Sequence, residues 1–391
     1  MIKIENKKQC CGCSACVERC PKQCISFDED KEGFRYPKVD ESRCIHCNLC
    51  EKVCPVINTP KENPIIGVYA ASSKDSNTKN ESSSGAIFTS IANKILKVGG
   101  IVFGARYDRD WEVCHDYCID AESLYKLRGS KYMQSRIGNN FKLVEQFLKE
   151  GKDVLFSGTP CQIAGLKTYL LKDYDNLTTV DVICHGVPSP KVWRLYLKNL
   201  LQKGIIGPSL SDITEVNFRA KTENWIKSQI LIKSKRSNYV SRKDNDPYFR
   251  AFNMNVILRP ICYECPFKCG KSGSNVTLAD FWGIQKIDLS AYDEQGTSMV
   301  IIHSDFQLET ENLFIKEEAI ESIAKYNGSY YHSASYNGNR VVLFGKMESS
   351  RDISDLINRC TQPSKFQRIQ NFIYRKFKRI MMLIICSNGV F

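Results

Sequence analysis

The sequence predicts a chain in two parts: a small cysteine-rich unit that folds around metal, then a mixed-sheet α/β (α+β) region. Two observations carry this. Ten of the nineteen cysteines lie in the first 54 residues, and eight of them write one pattern twice. The copies are Cys10-x2-Cys13-x2-Cys16-x3-Cys20-Pro21 and Cys44-x2-Cys47-x2-Cys50-x3-Cys54-Pro55. After residue 64 short apolar runs alternate with amphipathic stretches, the rhythm of strands and helices layered on one sheet.

Taken in order, residues 1–58 form the cysteine unit, which is too short to bury much apolar core and depends on metal ligation. Thr59 to Pro64 reads as a linker. Ile65–Ala71 is strand-like and Ser72–Ser83 a polar surface loop. Ser84 is expected to cap a helix to about Val98, with Ile87, Phe88, Ile91 and Ile95 on one face and Gly99-Gly100 as its stop. Ile101–Tyr107 and Trp111–Ile119 are strands around an Asp-Arg-Asp turn. Ile137–Lys149 is a helix ended by Gly151. Asp153–Ser157 and Thr178–Cys184 are strands, and Pro190–Lys203 a helix that begins with proline. Residues 212–303 read as α+β. The domains expected are 1–58, 65–160, 161–345 and a basic amphipathic tail, 350–391. In that tail Phe366, Ile369, Ile373, Phe377, Ile380 and Ile384 form one helical stripe, suited to its own domain, a membrane surface or a docking partner.

The doubled spacing is that of two 4Fe–4S clusters. Three thiolates two residues apart on one loop reach three irons of a cube, and the cysteine before proline points to the other half. One cluster is therefore assigned to Cys10, Cys13, Cys16 and Cys54, and the other to Cys44, Cys47, Cys50 and Cys20. A zinc site would not need this rhythm twice, and disulfides would need an oxidising compartment. Cys11 and Cys24 fall outside the pattern and read as small buried residues.

Composition narrows the class. The hydrophobic fraction, 42%, is ordinary for a globular chain. The N-terminus has no apolar signal segment, and no stretch approaches the roughly 18 apolar residues of a membrane span; a reducing cytoplasm is expected. The formal charge of +12 falls to about +6 if three clusters each carry −2. Much of the remaining excess lies in the tail. Basic residues do not alternate with exposed aromatics, so nucleic acid is not the expected partner.

Three further segments carry chemistry. Val154 to Gln162 reads as strand, glycine turn and helix start, which places Cys161 among free N–H groups that stabilise a thiolate. Asp181 to Gly186 brings Cys184 and His185 to a strand end, where α/β sites gather; His185 there could tune a cofactor or donate a proton, but a lone histidine reads first as a hydrogen-bonded structural residue. Arg259 to Cys269 presents Cys262, Cys265 and Cys269 at ligand spacing, with zinc an alternative for this segment alone. Cys114 and Cys118, on a strand, read as core. No G-x-G-x-x-G fingerprint is present, so a Rossmann mode is not supported.

Together, Ser82-Ser83-Ser84-Gly85, Gly99 to Ala105, Gly129 to Ser135, Gly158-Thr159-Pro160-Cys161-Gln162 and Cys262-x2-Cys265 resemble, in their order, the family of beta subunits of the coenzyme F-420 hydrogenases and dehydrogenases. The likeness covers about residues 65–345 plus a ferredoxin front, and looks most like a bacterial branch found beside polysaccharide genes. It implies FAD, and a third 4Fe–4S cluster on Cys161, Cys184, Cys262 and Cys265; Cys269 departs from that set and is read as a spare. It implies flavin contacts from Ser83, Ser84, Gly85, Ser130, Lys131, Tyr132, Gln134, Gly158 and Thr159. The serines and glycine would offer N–H groups to a pyrophosphate, although an ordinary helix cap fits them too, and Lys131 fits a solvated lysine as well as a phosphate partner. The function implied is an iron–sulfur flavoprotein oxidoreductase that passes electrons between clusters and FAD. Its partners would be a redox protein or ferredoxin and a deazaflavin or other hydride acceptor, with a sugar or polysaccharide precursor as a substrate class. The alternative is an electron-transfer subunit with no substrate of its own that feeds a partner enzyme.

Overall fold

The computed structural model describes residues 1–362; the apolar stripe expected in the tail lies outside them. The cysteine unit is built on a hairpin of β1 (Ile25–Glu29) and β2 (Arg35–Val39), with a single helical turn carrying the third cysteine of each close set, Cys16 and Cys50. Next comes an eight-stranded sheet made of β3 (Gly67–Ser73), β4 (Ile101–Tyr107), β5 (Val113–Cys118), β6 (Val154–Gly158), β7 (Leu177–Val182), β11 (Val276–Asp280), β12 (Ser298–Ile302) and β13 (Leu313–Glu317). Its order is β13-β3-β12-β11-β7-β6-β4-β5. The four central strands are parallel and the flanks antiparallel, so the expected mixed sheet is present. Between β7 and β11 the chain adds an antiparallel sheet of β8 (Ile213–Ala220), β9 (Gln229–Ser234) and β10 (Asn238–Arg242).

The central strands are apolar on both faces because both are covered. On one face Ile101, Phe103, Val154 and Phe156 meet the helices Asn140–Lys149 and Pro160–Leu170. On the other, Val102, Leu155 and Val180 meet Ile87, Ile91 and Ala92 of the helix Ile87–Lys97. The Asp-Arg-Asp turn is held by Asp108, whose Oδ1 accepts from the N–H groups of Asp110 and Glu112 at 2.9 and 3.0 Å.

Two local expectations are corrected. Ser84 does not cap the helix: Ala86 precedes it in a left-handed conformation, and the Ser84 hydroxyl donates to the Thr297 carbonyl at 2.9 Å. The pull of β12 on this segment outweighs the cap. The polar stretch 72–83 also contains a short helix, Ser76–Asn80, capped by Asp75. No helix among the described residues is long and apolar enough to cross a membrane.

A buried acid in β7 yields a pH prediction. Asp181 accepts a hydrogen bond from Thr277 at 2.5 Å and is buried among hydroxyls. Burial pushes its carboxyl up to about 6. Below the ordinary carboxylate range both folded and unfolded chains hold this proton. As pH rises to 6 the unfolded chain loses it first, so stability falls and then stays reduced. Asp181→Asn is therefore expected to match the parent at pH 4 and exceed it at pH 8 by about 3 kcal/mol, because a tenfold change in proton affinity is worth about 1.4 kcal/mol. Denaturant midpoints at the two pH values check this.

Candidate redox site

In the cysteine unit, one ring is lined by Cys10, Cys13, Cys16 and Cys54, and a neighbouring one by Cys20, Cys44, Cys47 and Cys50. Each draws its fourth cysteine from the other repeat. Among the described residues no three metal-ligating side chains converge on a point fit for a single ion; the thiols enclose a space instead. The two rings differ in setting. Cys10 and Cys13 are buried against the large domain, whereas Cys47 is exposed beside exposed Ile45. Cys11 and Cys24 are buried, as expected. Cys24 lies against Cys20, sulfur to sulfur 3.4 Å, and Cys11 lines both the inner ring and the large cavity described next.

The unit is docked by specific contacts. Arg340 holds the Glu32 carboxylate with both terminal nitrogens and Arg19 meets Glu145 at 2.9 Å. The Glu18 carboxylate accepts from the Lys142 N–H, and Thr168 donates to the Val53 carbonyl at 2.8 Å. Close approach depends on glycine: a Cβ on Gly165 would lie 2.7 Å from that of Cys13.

Over the C-terminal ends of β6, β7 and β11, where parallel sheets place ligands, lies a cavity of about 1010 Å³. Of the predicted flavin residues Ser83, Ser84, Ser130, Lys131, Tyr132, Gln134, Gly158 and Thr159 line it. Gly85 does not: it is buried beneath, where a Cβ would sit 2.4 Å from the Ala71 carbonyl oxygen. The two serine segments meet, Ser130 N–H donating to Ser83 Oγ at 2.8 Å. Lys131 donates to the Arg128 and Gly129 carbonyls, and burial pushes it down to about 7.

At the cavity floor the helix Pro160–Leu170 starts as the sequence predicts. Thr159 and Gln162 form a reciprocal cap, and Cys161 follows the proline. A hydrogen bond with Cys11, then burial, holds the Cys161 thiol well above the ordinary range. Cys184 is pushed up to about 12 by burial, with Cys161 and Cys265 adding to it, and Cys262 feels Cys184, Cys161 and Cys265 in turn. Four thiols from three segments thus crowd one place. Such a donor set fits a metal group, because coordination deprotonates thiols outright. Cys269 stands apart, with Glu62, Lys271 and Lys268 as its charged neighbours. His185 is paired with Asn255 at 2.5 Å and packs edge-on to Phe252, its structural reading. Cys118 is buried as expected and Cys114 only partly.

Sequence reasoning missed three groups on the cavity wall. His115 bonds Ser135 Oγ at 2.7 Å through Nδ1 and the Ser157 carbonyl at 3.0 Å through Nε2. The carbonyl can only accept, so Nε2 carries the proton; burial pushes the ring down to about 4. Arg219 grips Asp280 at 2.5 and 2.9 Å over the Trp282 ring. Lys243 lies 5.7 Å from the same ring and is pushed down to about 7 by burial. Strand alternation marked none of them, since each depends on a partner far away in sequence.

A two-ring cysteine unit docked on a cavity-bearing α/β domain has the build of an iron–sulfur protein. Residues 9–58 match the 4Fe-4S dicluster domain, and residues 151–325 match the C terminus of the beta subunit of coenzyme F420 hydrogenase/dehydrogenase. Over those residues the chain is similar to that family, with a stretch similar to a dicluster domain in front. One subunit of the F(420)H(2) dehydrogenase of Methanosarcina mazei is 26% identical over 165 residues, 39% of this chain and 46% of that protein. A ferredoxin of Saccharopolyspora erythraea is 37% identical over 60 residues, 15% of this chain and 52% of that one. The chain thus spans about half the length of these curated relatives. A chain of the F420-reducing NiFe hydrogenase complex of Methanosarcina barkeri superposes with a TM-score of 0.45 at 16% identity, over 76% of this chain and 91% of that one.

Proposed function

We propose that this chain is an iron–sulfur flavoprotein oxidoreductase: electrons pass from the exposed cysteine ring through the buried ring and the centre at Cys161 to FAD in the large cavity. The observation that carries it is continuity. Cys11 lines both the inner ring and the cavity, and its thiol bonds Cys161. When bound, the clusters supply one-electron steps and the flavin exchanges these for hydride chemistry with an organic partner.

The residues present suit those groups. The crossed rings support Cys10, Cys13, Cys16 and Cys54 as ligands of one cluster, and Cys20, Cys44, Cys47 and Cys50 of the other. Cys161, Cys184, Cys262 and Cys265 would hold the third. The cavity is at the upper end of the volumes that small-molecule sites occupy, enough for a dinucleotide with an organic partner beside it. Ser83, Ser84, Ser130 and Lys131 form its polar wall, suited to a pyrophosphate, and Lys131 can hold or release a proton near neutral pH. The exposed ring with Ile45 offers an entry for a redox protein. A deazaflavin or a sugar-derived precursor would take the organic place.

FAD added to the anaerobically prepared chain, followed by dithionite, tests this. Tight binding and bleaching of the flavin through the clusters are expected; absence of binding would leave the alternative, a subunit that only relays electrons to a partner enzyme. The pH course adds detail. Lys131 loses its charge as pH rises through about 7, so FAD affinity is expected to fall severalfold from pH 6 to pH 8. Arg, whose charge persists, should flatten the profile in Lys131→Arg.

A further inference from the structure

Arg259 has no exposed surface. It opens the turn Pro260–Glu264 that carries Cys262, and its guanidinium reaches into the dicluster unit. Nε donates to the Cys10 carbonyl at 2.8 Å and Nη2 to the Arg35 carbonyl at 2.8 Å. Nη1 donates to Gln134 Oε1 at 2.9 Å, and Nη2 also lies 3.6 Å from Cys10 Sγ. The guanidinium sits 4.3 Å from the centre of the Tyr36 ring. Gly12 permits this approach, since a Cβ there would lie 2.9 Å from Arg259 Nη1.

Every one of these acceptors is neutral: two carbonyls, an amide oxygen and a thiol. The other arginines that dock the unit behave differently, with Arg340 on Glu32 and Arg19 on Glu145. A buried cation without an anion is costly. The buried Tyr36 hydroxyl, beside the same cysteine, also lacks a partner. An uncompensated cation and an orphaned hydroxyl at one edge of one cysteine ring point to an anionic group inside that ring.

We propose that Arg259 is the counter-charge of the inner iron–sulfur cluster: it raises that cluster's reduction potential and ties the cluster to the loop bearing Cys262. The inference rests on the assignment of Cys10, Cys13, Cys16 and Cys54 to one cluster. A cube with four thiolates is negative and becomes more so when it takes an electron, so a desolvated cation beside it favours the reduced form. Arg259 is thus a positioning and tuning residue, not a ligand.

The test is a redox titration of the anaerobically purified full chain with dithionite, followed by electron paramagnetic resonance. Cys16→Ser, titrated alongside, identifies the signal of the inner ring; if it spares both dicluster signals, the cysteine assignment fails and the proposal with it. In Arg259→Gln the inner midpoint is expected to drop by a factor of ten or more in the reduction equilibrium, about 59 mV for one electron. The outer midpoint should stay, and Arg259→Lys should recover most of the loss. An unchanged inner midpoint in Arg259→Gln with iron retained, or a shift confined to the outer signal, overturns the proposal. If Arg259→Gln does not hold iron, Gln134→Glu decides. A carboxylate against Nη1 neutralises the guanidinium in place and is expected to lower the inner midpoint; an unchanged midpoint there overturns the proposal.

Discussion

Cys161→Ser is expected to release one whole cluster, about four of about twelve irons per chain, while the dicluster signals persist. Cys161 stands at the first turn of its helix behind a Thr159–Gln162 cap, so serine disturbs little backbone. What it removes is the thiol hydrogen-bonded to Cys11, one of four partly buried thiols that feel one another's charge. Cys269→Ser is the control, because Cys269 faces Glu62 and lysines rather than those thiols; its iron content should equal the parent's. Equal iron in Cys161→Ser and the parent would remove the third centre from the account.

The second large effect is a contrast between two glycines, each within a helix. Gly165 faces the dicluster unit, and an added Cβ would lie 2.7 Å from Cys13 Cβ and 2.9 Å from its sulfur. Gly345, in the helix Asn339–Lys346, has nothing within 4 Å of such a Cβ. Gly345→Ala is expected to stabilise by about 0.5–1 kcal/mol, through the entropy of the unfolded chain. Gly165→Ala should instead destabilise by about 1–3 kcal/mol, the usual cost of overpacking, because Cys13 belongs to a rigid ring and cannot yield. Denaturant midpoints of the iron-loaded variants check both. Stabilisation by Gly165→Ala would mean that the unit does not sit against this helix.

How much was legible follows from where each partner lies. The cysteine rhythm is local, and it announced the dicluster domain. The strand Ile101–Tyr107 and the helix start at Pro160 were legible too, because alternation, a cap and a proline act within a few residues. Ser84 misled: its neighbour Gly85 is pinned by Ser298, whose Oγ accepts its N–H at 3.0 Å, and that contact across the chain overrode a local capping signal. Arg259 stood in plain view three residues before Cys262. Its significance comes from contacts 249 residues away in sequence, which no periodicity encodes. His115 and Arg219 were unreadable for the same reason.

The central claim is a continuous path from an exposed cluster to a flavin. Anaerobic purification with iron, sulfide and flavin quantified on one sample tests it most directly. About twelve irons and one FAD per chain are the predicted result. About eight irons with no flavin, even after FAD is supplied, would contradict it and leave a dicluster unit on an α/β domain without a redox centre of its own.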